Sequence, residues 1–71
     1  MIVTITKRML GLQPGAVVHM DKCDIVITSE YNDFYGWYRC SSIEYDDLGN
    51  ASEIPGGIVR PSELIGARID V

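Results

Sequence analysis

The chain has 71 residues, six of them Lys or Arg and ten Asp or Glu, for a net charge of −4. That length holds one small domain, and an apolar content of 46% excludes a disordered chain. The basic residues Lys7, Arg8, Lys22, Arg39, Arg60 and Arg68 are scattered, which disfavours nucleic acid and an anionic membrane surface as partners.

Met1 to Thr6 reads as the first strand, because five of its six residues are β-branched. Lys7 to Leu12 is a loop, and Gln13-Pro14-Gly15 is a turn. Ala16 to Met20 follows as a strand, Asp21-Lys22 turns the chain, and Asp24 to Ser29 forms another β-branched strand. Tyr31 to Gly36 is a loop punctuated by Asn32-Asp33 and Gly36. Trp37 to Tyr45 is the longest strand candidate. Alternation places Trp37, Arg39, Ser41 and Ile43 on one side and Tyr38, Cys40 and Ser42 on the other.

Asp46 to Ser52 is a polar loop, and Ile54-Pro55-Gly56-Gly57 interrupts the chain again. Ile58 to Arg60 is a short strand. Pro61-Ser62-Glu63-Leu64 suits one 3₁₀ turn, and Ala67 to Val71 alternates as the closing strand. Five or six short strands with turn signals every 8–12 residues point to a small sandwich or barrel, and closure protects strand edges in so short a chain.

No apolar run approaches the ~20 residues of a membrane helix. Lys7 and Arg8 follow the first apolar residues instead of preceding them, the wrong order for a signal peptide. The start at Met1 and the apolar close lead us to expect a complete small gene product or a domain with its natural start. A cytoplasmic location, no membrane contact and free thiols at Cys23 and Cys40 are expected with it.

The second half resembles an SH3 domain. Gly36-Trp37-Tyr38-Arg39 matches the segment that opens a central strand, and Gly49 the following hairpin. Gly57-Ile58-Val59, Pro61-Ser62-Glu63-Leu64 and Ala67 to Val71 match the last strands and the turn between them. The resemblance implies an all-β fold: a small five- to six-stranded SH3-like barrel with one 3₁₀ turn near Pro61–Leu64, a single domain over 1–71. Of the family's peptide-gripping residues, Trp37 and Pro61 carry over. The aromatic segment near the family's start is replaced by Ile2 to Lys7, and the Tyr of its Pro-Ser-Asn-Tyr turn by Leu64. The chain is also similar in architecture to type II dihydrofolate reductases. The Val-Gln-Ile-Tyr run of their active site is replaced here by Gly57-Ile58-Val59-Arg60, so that activity is not carried over.

The residues offer little for catalysis. His19 is the single histidine, and nothing in the order of the chain sets it beside Cys23 or Cys40. His19 and Cys23 lie four apart, but a zinc site takes four ligands and only Cys40 is left to join them. Gly56-Gly57 lacks the helix and the Lys-Ser/Thr of a phosphate loop. Glu44, Asp46 and Asp47 read as a solvated face. We therefore expect no catalytic residue, no metal and no cofactor.

All six aromatic residues fall between Tyr31 and Tyr45. They cannot all be core, since alternation sends Trp37 and Tyr38 to opposite faces. Tyr38 and Tyr45 are placed on the core side. Trp37 and the loop rings Tyr31, Phe34 and Tyr35 are placed on a display side. Exposed Trp and Tyr with a nearby Arg is the composition of a binding hot spot. The expected function is a non-catalytic protein-interaction module, a small acidic adaptor or inhibitor. Its binding residues are Tyr31, Asp33, Phe34, Tyr35, Trp37 and Pro61, with Glu30 and Asp33 selecting a basic protein or peptide. Self-association into a homo-oligomer is a sub-case. The alternatives are a subunit of a homo-oligomeric barrel enzyme and a nucleic-acid-associated small barrel.

Overall fold

A computed structural model of the chain describes residues 1–7 and 11–70. Arg8, part of the expected 7–12 loop, and Val71 of the closing strand lie outside the described residues. In chain order the elements are β1 (Ile2–Thr4), β2 (Val17–His19), β3 (Asp24–Ile27), β4 (Tyr38–Tyr45), β5 (Ala51–Val59), α1 (Pro61–Leu64) and β6 (Arg68–Asp70). The β-branched runs Ile2-Val3-Thr4, Val17-Val18 and Ile25-Val26-Ile27 form strands because branched side chains fit a pleated surface.

The strands make one antiparallel sheet in the order β1-β6-β2-β3-β4-β5. The last strand therefore lies between the first two. Ile69 is opposite Val3 on one side and Val18 on the other. The rest is a meander: β2 to β3, β3 to β4, β4 to β5. Among the described pairings β1 and β5 are the two edges.

One face of the sheet carries the core. Val18, Ile25, Ile27, Tyr38, Cys40, Val59 and Ile69 come from five strands, and Ile5, Leu12 and Leu64 complete the cluster. Fully burying each large apolar side chain contributes about 1.5–3 kcal/mol. A four-residue helix cannot stand alone in water. Here α1 is held by Leu64, which is fully buried. Its start is closed by Glu63, whose Oε2 accepts a hydrogen bond from the Arg60 N–H at 2.8 Å. The expected 3₁₀ turn is thus a single α-helical turn, because the Ile65 N–H reaches the Pro61 carbonyl four residues back at 3.2 Å.

Two further expectations are corrected. Ile54 to Gly57 does not break the chain, and β5 runs through it for nine residues. Cys40 pairs with Gly57 and Ser42 with Ile54, so Ser41 alone opposes both Pro55 and Gly56. That is a β-bulge. It is tolerated because β5 is an edge strand, where Pro55 forfeits no ladder bond, and because Gly56 takes φ +96°. Tyr45 is not on the core side. It is 61% exposed at the outer end of β4, and its hydroxyl donates to Asp24 Oδ2 at 3.4 Å.

Among the described residues no helix is long and apolar enough to cross a membrane.

Candidate functional site

The loop between β3 and β4 is organised by one side chain. Asn32 Oδ1 accepts hydrogen bonds from the backbone N–H groups of Phe34 and Tyr35, both at 3.0 Å. The Asn32 carbonyl accepts from the Gly36 N–H at 2.7 Å, and the Asn32 N–H donates to the Trp37 carbonyl at 2.9 Å. This is an Asx turn closed into a small hairpin, the local competition with regular structure that Asn favours. Gly36 completes it at φ +78°, a conformation that other residues adopt at a cost of about 1–2 kcal/mol.

The loop presents three rings in series. Tyr35 stacks on Trp37 with centroids 4.9 Å apart and planes 6° from parallel. Phe34 meets Tyr35 edge-on at 4.9 Å and 89°. Phe34 is 87% exposed, Tyr35 is exposed and Trp37 is half-buried. Tyr31, at the entry to the loop, tilts against the buried Tyr38 at 5.3 Å and 58°. The exit is pinned by Ser29, whose Oγ accepts from the Arg39 N–H at 3.1 Å and donates to the Glu30 carbonyl at 3.2 Å.

Beside these rings lies an open groove of about 530 Å³. One wall is Glu30, Tyr31 and Asp33, the other Gly11, Leu12 and Gln13, with Tyr38 and Pro61 between them. Among the described residues its charged lining is Glu30 and Asp33, both carboxylates. The structure thus brings Tyr31, Asp33 and Pro61 together around one groove. Phe34, Tyr35 and Trp37 form a second, contiguous group outside that lining. The Gly11–Gln13 wall was not among the expected site residues. The nearby Gln13-Pro14-Gly15 turn marks a bend but does not say where it leads.

The other candidates separate. His19 sits half-exposed on β2, with Nδ1 2.9 Å from Asp24 Oδ1 on the neighbouring strand. Cys23 packs against the core cluster instead. Both cysteines are free. Burial pushes the Cys40 thiol up from its ordinary pKa, and the Cys23 and Glu63 charges add to that. Among the described residues no three His, Cys, Asp or Glu side chains are grouped to hold a metal ion. Asp46 accepts from the Asn50 N–H at 2.8 Å, the Leu48 N–H at 2.9 Å and Asn50 Nδ2 at 3.1 Å. Those bonds, led by the Asn50 backbone, hold its carboxyl below the usual range, and they close the β4–β5 hairpin.

Comparison with protein families, with curated proteins and with solved structures returns no significant match. The functional reading therefore rests on the chemistry of the loop and the groove.

Proposed function

We propose that this chain is a non-catalytic protein-interaction module with an SH3-like barrel architecture. The architecture is supported by the helical turn between Val59 and Arg68, by the insertion of β6 between β1 and β2, and by a core drawn from five strands. The module acts in the cytoplasm as a small acidic adaptor or inhibitor. It grips a protein or peptide through Phe34, Tyr35, Trp37 and the groove edged by Tyr31, Asp33 and Pro61.

One observation carries this reading. The Phe34–Tyr35–Trp37 stack is held toward solvent by the Asn32 turn, on the same loop as Tyr31 and Asp33, which line a groove whose charged residues, among those described, are Glu30 and Asp33. Rigid aromatic side chains supply contact area at little cost in conformational entropy, and ordering the loop in advance lowers the cost of binding. The two carboxylates favour a partner with basic residues and steer its approach.

Affinity capture with the wild type and the Trp37→Ala variant side by side tests it. Trp37→Ala is expected to lose the partner while its thermal transition remains cooperative. A general collapse of stability with no selective loss of the partner contradicts the reading.

A further inference from the structure

The sheet has a second face, turned away from the core, and strand register arranges it in three rows. The middle row runs Val17, Val26, Ser41 and ends at the Pro55–Gly56 bulge. On one side of it lie Thr28, Arg39 and Ile58. Arg39 pairs with Ile58, and its carbonyl accepts from the Thr28 N–H at 2.9 Å. On the other side lie Arg68, His19, Asp24, Ile43 and Glu53, paired across β6, β2, β3, β4 and β5. None of these residues belongs to the aromatic loop or its groove.

The central strands are apolar on both faces. Val17-Val18 and Ile25-Val26-Ile27 are the continuous runs expected of strands covered on both sides. Among the described residues the chain covers only one. Val17, Val26 and Ile43 are half-buried, and Pro55 and Ile58 are exposed. Ser41 is 3% exposed and lies in a shallow groove of about 310 Å³ that Arg39, Pro55, Gly57 and Ile58 also line.

The charge order identifies the occupant. One outer row holds a cation, Arg39. The other holds Glu53 at its β5 end, Asp24 already bonded to His19 and Tyr45, and Arg68 at its β6 end. Neither Arg39 nor Glu53 has an ion-pair partner among the described residues. An isologous contact requires a patch complementary to itself. A two-fold axis lying along the middle row reverses the order of the rows and leaves each strand facing its own copy. Val26 then meets Val26, and Arg39 comes down on Ile43 of the second copy, between Asp24 and Glu53 of that copy. Strands sit about 4.8 Å apart, so Glu53 on the neighbouring strand lies within the reach of an arginine side chain. The same rotation repeats the contact, giving two cationic anchors per interface. Facing sheets with nearly aligned strand axes are a common packing.

We propose that this second face is a homodimer interface, with a second copy of the chain as its occupant and Arg39 opposite Glu53 as its charge contact.

Sedimentation velocity over a concentration series of the intact chain tests this. The wild type is expected to pass from monomer to dimer. Arg39→Glu and Glu53→Arg each weaken the dimer by about tenfold or more, because each sets like charges face to face. The double variant R39E/E53R is expected to return to within about threefold of the wild type, as a double-mutant cycle requires of a direct pair. Ile58→Glu, on the cationic row, weakens the dimer independently. Both charged positions are exposed, and circular dichroism confirms that each variant is folded. A wild type that stays monomeric throughout overturns the proposal, even if the chain captures another protein. A double variant no better than the single ones also overturns it.

Discussion

Tyr35 lies flat on Trp37, 4.9 Å from centroid to centroid and 6° from parallel. The two residues are separated by Gly36 alone. Extended backbone would send their side chains in register along one face but too far apart to stack so closely. The Asn32 turn brings them together.

Asn32→Ala therefore removes the acceptor for two N–H groups and is expected to cost about 1–2 kcal/mol, as lost side-chain caps do. Trp37 fluorescence shifts to the red as Tyr35 leaves its face. Asn32→Asp keeps the acceptor and preserves the wild-type spectrum. Equal spectra for all three proteins contradict the assigned role.

Gly57 answers a different constraint. A Cβ there would lie 3.2 Å from both the carbonyl oxygen and Sγ of Cys40. The carbonyl belongs to a paired strand and has little room to move. Gly57→Ala is expected to destabilise the fold by about 1–3 kcal/mol, the range for overpacking. Denaturant unfolding measures it, and a neutral result means that the β4–β5 contact is looser than described.

The two thiols should differ in reactivity. Cys40 is buried and its pKa is raised, whereas Cys23 is half-buried. The thiolate is the reactive form. At neutral pH one equivalent of an aromatic disulfide reagent is expected to react first, at Cys23. Cys40 follows only as the fold opens. Simultaneous reaction of both contradicts the placement of Cys40 in the core.

The β4–β5 hairpin should respond to acid. The Asp46 carboxyl is held below its ordinary value in the folded chain. Its contribution is therefore complete above the unfolded pKa and is lost as pH falls through the folded one. The amide resonances of Leu48 and Asn50, which donate to Asp46, are expected to titrate with a midpoint below that of an ordinary aspartate. A midpoint at or above it contradicts the hydrogen-bonded turn.

Strand positions were legible because β-branched runs have a local cause. The sheet order was not, since the insertion of β6 between β1 and β2 depends on pairings more than forty residues apart in sequence. Pro55 and Gly56 signal a break in any local reading. Here their cost is absorbed by an edge position and a bulge, which only the partner strand reveals. At the site, composition singled out Tyr31 to Trp37. It did not show that Asn32 builds the loop, because Asn-Asp reads only as punctuation. Nor did it show that Gly11 to Gln13 form the far wall of the groove. Tyr45 was misplaced because strict alternation puts it with Trp37, Arg39 and Ile43, on the face opposite Tyr38.

The binding role of the aromatic loop is tested most directly at residues whose loss cannot disturb the core. Phe34 and Leu48 are each 87% exposed, one in the aromatic loop and the other in the β4–β5 hairpin. Affinity capture with Phe34→Ala and Leu48→Ala, beside the wild type, separates a binding surface from general surface adhesion. Leu48→Ala is expected to retain the partner and Phe34→Ala to lose most of it, with equal melting temperatures. Equal capture by both variants would contradict the assignment of the loop as the binding surface.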